Sequence, residues 1–123
     1  MIGTSELARE FWEHGKSASC PIYDMHGHMG FYHSIYFPRG DTADMIRTMD
    51  EAGVKLLTFS HHTALNSPDL ANRPSIEAVR RYPDRLRAYC MVNPNYLEQI
   101  ARDLDAFDSL FPDVYVGFKF LSD

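Results

Sequence analysis

The sequence predicts an α/β protein with about four parallel strands and flanking helices, the N-terminal half of a (β/α)8 TIM barrel. Apolar runs begin near residues 22, 54, 86 and 114, a spacing of about 30 residues that matches one strand–helix unit. The strand-to-helix links, residues 29–40 and 61–73, are long, as in barrel enzymes, whereas the helix-to-strand links are short. Since a complete barrel needs about 250 residues, we expect residues 1–123 to form one partial barrel domain, with a helix over residues 5–14 before the four βα-type units.

The first elements are predicted from helical spacing and from alternation. Apolar side chains recur at helical intervals after Ser5, which can cap the first helix, and Gly15 can end it. A short strand then covers about Ile22–His28. This strand leads into the longest loop of the chain, which is rich in aromatic residues.

The second unit has clear boundaries at both ends of its helix. Asp41 or Thr42 caps the helix, and Gly53 ends it where a left-handed residue is favoured. The run Val54–Ser60 is almost continuously apolar, which is typical of a parallel strand buried on both faces.

The third unit begins where Pro74 favours a helix start, and the helix breaks at Tyr82. Leu86–Val92 follows as the third strand. In the fourth unit, Asn95 and a glutamate three residues later resemble a capping box. An amphipathic helix follows, and Val114–Leu121 is predicted as the fourth strand.

Composition and net charge indicate which classes of partner and which cellular compartment to expect. The net charge of −5 argues against nucleic acids and anionic membranes, which demand a basic face. No apolar stretch has the length of a signal peptide core or of a membrane span. Cys20 and Cys90 are far apart and form no CxxC motif, so we expect free thiols in the cytoplasm. We expect the partner to be a small-molecule substrate.

The segment Asp24-Met25-His26-Gly27-His28 at the end of the first strand predicts a metal site. Side chains at i and i+2 of a strand share a face, so both imidazoles and the Asp24 carboxylate should point the same way. Imidazoles suit a divalent ion, most simply zinc, with iron or manganese as alternatives. Ligating imidazoles are neutral and need a hydrogen-bond acceptor on the other nitrogen, a role open to Asp24 if it is not simply a buried strand-end residue.

Three other side chains are candidate substrate-binding groups. His61 and His62 end the second strand, and because adjacent residues point in opposite directions, at most one faces the same interior as His26. Lys119 lies in an apolar strand, where an ammonium group needs a partner. It can bind an anionic substrate, become carboxylated and bridge metals, or simply pair with an acid at the strand end.

Several stretches together resemble the amidohydrolase-2 family of the amidohydrolase superfamily. They are YDMHGHMG, DTADMIRTMDEAGV, ANRPSIEAVRRYPDRLRAYCMVNPNY, LEQIARDLDAF and VGFKF, and they cover about residues 20–121. The stretches MVNPNYLEQ and VGFK are more specific than the HxH pair.

The resemblance implies a distorted (β/α)8 barrel with a divalent metal at the carboxyl ends of its strands. It implies hydrolysis of amide, ester or lactone bonds, or decarboxylation of aromatic acids. His26 and His28 match the family's metal pair on strand one. The family's other ligands and its acid/base aspartate lie on later strands, which would follow residue 123, so the catalytic residue is unknown here.

Two alternatives are kept. The first is a non-catalytic half-barrel, an assembly module or truncated product that self-associates or pairs with a C-terminal half-barrel, because both edges of its sheet are unpaired. The second is a PHP-type metal phosphoesterase, whose first strand also carries HxH. Against it, Ser60-His61-His62 lacks the acid expected at the end of strand two.

Overall fold

The computed structural model describes residues 5–67 and 69–120. The helices are α1 (Glu6–His14), α2 (Thr42–Ala52), α3 (Thr63–Asn66), α4 (Arg73–Arg81) and α5 (Leu97–Leu110). The strands are β1 (Ile22–Met29), β2 (Val54–His61), β3 (Leu86–Val92) and β4 (Tyr115–Phe120). All neighbours pair in parallel in the order β1-β2-β3-β4. This confirms a mixed α/β fold with a four-stranded parallel sheet and flanking helices. Leu121, predicted to end the fourth strand, lies outside the described residues.

The predicted caps of the first two helices are confirmed. The Ser5 side chain accepts a hydrogen bond from the backbone of α1, and Asp41 does the same for α2. Gly15 and Gly53 end these helices with φ of 71° and 74°. Such left-handed conformations are open to glycine because it has no Cβ.

The predicted cap of α5 is wrong. Tyr96 precedes the helix and makes no side-chain cap. Asn95 instead donates from its backbone and its Nδ2 to the Oδ1 of Asn93, both at 3.0 Å. The loop predicted over residues 61–73 also contains the short helix α3. At Asn95, side-chain hydrogen bonds within the loop prevail over the local capping pattern.

The core lies between the sheet and the helices. Its buried side chains come from alternate positions of β2 and β3 and from the inner faces of α2 and α4: Leu57, Phe59, Leu86, Ala88, Cys90, Met49, Ala78 and Val79. Tyr115 of β4 completes this layer against Phe107 of α5, with ring centroids 5.7 Å apart.

The opposite face of the sheet is concave, because groups of non-adjacent strands meet across it. The Tyr89 hydroxyl of β3 donates to the backbone oxygen of Met25 in β1 at 3.0 Å, across β2. Lys119 of β4 also reaches the histidines of β1. Thr58 and Ser60 of β2 lie beneath these contacts and are 0% and 1% exposed.

Asn72 directly precedes α4, and its side chain forms hydrogen bonds with β3 and α5. Its Oδ1 accepts from the Met91 backbone N–H, and its Nδ2 donates to the Met91 carbonyl and to Asp103 of α5, each at 2.9 Å. Asn72 is 1% exposed, so these bonds replace water completely. Burial also raises the pKa of the Asp103 carboxyl group.

Candidate functional site

The concave face brings two histidines of β1 and one lysine of β4 into contact. The Nε2 atoms of His26 and His28 are 3.2 Å apart. The Nζ of Lys119 lies 3.2 Å from the first and 3.5 Å from the second. Three nitrogen atoms therefore converge on one point between the edge strands of the sheet.

A bulge in β1 changes the position predicted for Asp24. The register pairs Asp24 with Leu57 but Gly27 with Phe59, so two residues of β1 stand opposite one residue of β2. The alternation predicted from Asp24 to the second histidine therefore does not hold. The Asp24 carboxylate accepts from the backbone N–H of His26 at 2.9 Å instead of pointing with the imidazoles.

A second irregularity in β4 turns Lys119 onto the concave face. The register advances from Ala88–Tyr115 to Tyr89–Gly117, so Val116 is the extra residue. Tyr115 therefore packs on the helix side although it has the same parity as Lys119. One alternative for Lys119 was an ion pair with an acid at the end of the strand. None of the described ion pairs includes Lys119.

The surroundings of the site favour the uncharged forms of His28 and Lys119. The pKa of His28 is lowered to about 4, first by burial and then by the charges of Lys119, His62 and His26. Burial also lowers the pKa of Lys119. His28 is therefore neutral at pH 7, the form in which an imidazole nitrogen binds a metal.

Of the two histidines at the end of β2, His62 joins this cluster. Its ring stacks on His28, with centroids 5.1 Å apart, and also meets Tyr32 and Phe37 of the β1–α2 loop. Its Nδ1 donates to the Gly30 carbonyl at 2.7 Å. His62 is only 6% exposed.

His61 points away from this cluster, which agrees with the prediction that at most one of the two adjacent histidines faces the same interior as His26. Its Nδ1 accepts from the backbone of Thr63 at 3.3 Å and lies 2.9 Å from the threonine hydroxyl. Burial, followed by the charge of His62, lowers the pKa of His61 to about 4. Its ring packs against Gly30, where a Cβ atom would lie 2.3 Å from the imidazole.

A cavity of about 640 Å³ opens beside His28, within the size range of small-molecule sites. Its walls come from the β1–α2 loop, α3 and the β3–α5 loop, and the described lining residues carry no formal charge. The Nδ2 of Asn93 donates to the Leu65 carbonyl at 2.6 Å, which joins two walls. Sequence reasoning missed this wall, although the Asn-Pro-Asn run following a strand was a signal.

The donor set fits a metal ion in part. Two nitrogen ligands of zinc, each bound at about 2.0–2.1 Å, are about 3.3 Å apart in a tetrahedral site, which is close to the separation of the two histidine Nε2 atoms. Among residues 5–67 and 69–120, however, no group of three or more His, Cys, Asp or Glu side chains is placed to hold an ion. His26 and His28 would thus supply two of the ligands that an ion needs.

The described helices include none that is long and apolar enough to cross a membrane. Comparison of the chain with protein-family models, with curated proteins and with solved structures gives no match.

Proposed function

We propose that this chain is the metal-binding half of an amidohydrolase-type barrel, a hydrolase or decarboxylase that acts on a small carboxylate-bearing molecule. The observation that carries the proposal is the 3.2 Å separation of the His26 and His28 Nε2 atoms. The lone pairs of two imidazole nitrogens aimed at one point repel each other unless a cation or a proton lies between them. The resemblance of the sequence to the amidohydrolase-2 family supports the same assignment.

In this proposal His26 and His28 hold a divalent ion, zinc in the first instance. When bound, the ion polarises a carbonyl group and lowers the pKa of a coordinated water to about 7. Lys119 is the cation nearest to both imidazoles, so it binds the anionic end of the substrate or competes with the ion. The Nδ1 of His62 is engaged by the Gly30 carbonyl, so its other ring nitrogen, Nε2, is the one that forms a hydrogen bond with a bound substrate.

The cavity beside His28 would hold the body of the substrate. Its aromatic and amide walls carry no ion to pair with a second charge. The proposal therefore places a single carboxylate at the Lys119 end and an uncharged body between Tyr32 and Tyr96.

The free thiols of Cys20 and Cys90 support a cytoplasmic location.

A second candidate function is a non-catalytic half-barrel that assembles with another half. The absence of a third ligand among the described residues favours it. The outer edges of β1 and β4 also pair with no other described strand. An unpaired parallel edge readily takes up another strand. Under both functions, a second copy or a C-terminal half-barrel would supply the other wall of the site.

The decisive experiment is a titration of the purified chain with Zn²⁺ by calorimetry and with Co²⁺ by absorption spectroscopy. We expect one ion per site, and loss of binding in the double variant His26→Ala/His28→Ala. His14→Ala, at an exposed position in α1, is the matched control and should bind as the parent does. Equal binding by the parent and the double variant would refute the metal site and leave the assembly function as the better account.

A further inference from the structure

Two buried polar atoms on neighbouring strands are both left without hydrogen-bond partners. The Nδ1 of His28 and the Oγ of Ser60 are each shielded from solvent, and neither meets a partner among the described residues. Buried polar atoms are nearly always paired, so each such case calls for an explanation. Here the two unpaired atoms belong to residues that are paired with each other in the sheet.

The register places these side chains next to each other. His28 of β1 is the Cα partner of Ser60 of β2, and neighbouring strands lie about 4.7–4.9 Å apart. Partners in a parallel ladder present their side chains on the same face. The stacking of His62 on His28 and the contact of Thr58 with Met25 at 3.6 Å show that the even-numbered positions of β2 face the concave side.

We propose that the Ser60 hydroxyl is the hydrogen-bond acceptor that fixes His28 as the tautomer protonated on Nδ1. In this proposal the Ser60 side chain rotates so that its oxygen faces the imidazole N–H, and a hydroxyl oxygen can accept this hydrogen bond. With the proton on Nδ1, the Nε2 lone pair points at His26 and Lys119, where the proposed ion binds. Ser60 is then a positioning residue that acts through His28.

The metal-related part of this inference rests on the proposed function, whereas the proposed hydrogen bond between Ser60 and His28 does not require an ion. Asp24 does not fill the role, because its carboxylate is engaged by the His26 backbone. Among the described residues, the His28 Nδ1 meets no hydrogen-bond partner, and Ser60 is its partner position on the neighbouring strand. The sequence also places no acidic residue at positions 60–62, the end of strand two that faces the histidines.

The first test is the tautomer of His28 in the metal-free chain at pH 7. Long-range ¹H–¹⁵N correlation spectra identify the protonated nitrogen, and His28→Gln assigns the signal. We expect protonation on Nδ1 in the parent and a shift of the proton towards Nε2 in Ser60→Ala. Ser75→Ala is a matched control, because Ser75 is 0% exposed and its Oγ is also unpaired, but it lies in α4.

The second test is the affinity for Zn²⁺ and Co²⁺. Loss of the outer partner of a ligating histidine costs about 10- to 100-fold in affinity, and we expect a loss in this range for Ser60→Ala. Ser60→Thr restores a hydroxyl and should restore both the tautomer and the affinity. Ser60→Cys, of similar size but with a weaker acceptor, should be intermediate and serves if Ser60→Ala does not fold.

The two proposals fail in different ways. If Ser60→Ala has the same His28 tautomer and affinity as Ser75→Ala, the role of Ser60 is refuted. If the tautomer changes but the parent binds no ion, the hydrogen bond is supported and the metal function is refuted.

Discussion

His28 and His62 stack at a centroid distance of 5.1 Å and an interplanar angle of 28°, although His28 lies in β1 and His62 directly follows β2. The His62 ring also donates to the Gly30 carbonyl and contacts the rings of Tyr32 and Phe37 in the β1–α2 loop. One buried side chain thus holds a candidate ligand and the loop that covers it.

Replacing His62 should loosen this loop. We expect His62→Ala to lower the free energy of unfolding by about 2–4 kcal/mol, as for other large buried side chains. His62→Phe keeps the ring but leaves the Gly30 carbonyl without its donor, which costs about 1–3 kcal/mol. Urea denaturation gives both values. His14→Ala, an exposed change, should stay within about 0.5 kcal/mol, and an equal effect in all three variants would contradict the anchoring role.

Stability should fall with acid between about pH 6.5 and pH 4. The pKa values of His28 and His61 are lowered to about 4, mainly by burial, so the unfolded chain binds more protons than the folded chain in this range. The contribution of these two imidazoles to the free energy of unfolding is then highest above pH 6.5, falls towards pH 4 and levels off below it. Each imidazole contributes a slope of less than about 1.4 kcal/mol per pH unit, because one full proton sets that limit.

The acid effect is measured by urea denaturation of the chain at a series of pH values. His61→Gln removes one titrating group and should flatten the curve between pH 4 and 6.5. His14→Ala keeps both buried imidazoles and should retain the slope of the parent. A His61→Gln profile identical to that of the parent would show that His61 does not contribute.

A methyl group at Gly30 should be poorly tolerated. This residue has φ +83°, and a Cβ atom there would meet the His61 ring at 2.3 Å. We expect Gly30→Ala to destabilise the chain by at least about 2 kcal/mol, through left-handed strain of about 1–2 kcal/mol and the clash. Gly117→Ala is the counterpart, because its Cβ would meet only Tyr89, at 3.7 Å.

The two glycine variants should change the stability of the chain in opposite directions. Alanine stabilises a strand relative to glycine by about 0.5–1 kcal/mol, so Gly117→Ala should unfold at a slightly higher temperature than the parent. Thermal unfolding followed by circular dichroism compares the two. Similar melting temperatures for both variants would contradict the close packing of His61 on Gly30.

The open sheet edges should make the chain self-associate. We expect light scattering to give a mass above 14.1 kDa that rises with concentration. Phe120→Lys places a charge on edge strand β4, where Phe120 is 63% exposed, and should shift the chain towards the monomer. Leu97→Lys, at a 74% exposed position in α5, should not. A monomeric parent at all concentrations would contradict association through the edges.

Local patterns predicted the four strands and the proximity of the two imidazoles of β1, whereas the metal ligation stays a prediction. Gly53 marks the end of α2, and the apolar run from Val54 marks a buried parallel strand. His26 and His28 were found by their spacing alone, and the structure brings their Nε2 atoms together.

The rest depends on contacts between distant parts of the chain. Simple alternation missed the extra residue of β1 that displaces Asp24, since nothing in the local pattern reveals a bulge. The anchoring role of Asn72 arises from Met91 and Asp103, which are 19 and 31 positions away. Ser60 was assigned to a strand, but its unpaired hydroxyl is visible only with β1 beside it.

The contact between Lys119 and His26 joins residues 93 positions apart. Contacts of such long sequence separation carry a large loop-closure entropy and form slowly. The three nitrogen atoms therefore come together only after the last strand has docked, and any folding intermediate that lacks β4 holds the histidines without the amine. The imidazole signals of the site are thus a reporter of complete folding, since they change at the step that closes the sheet's concave face.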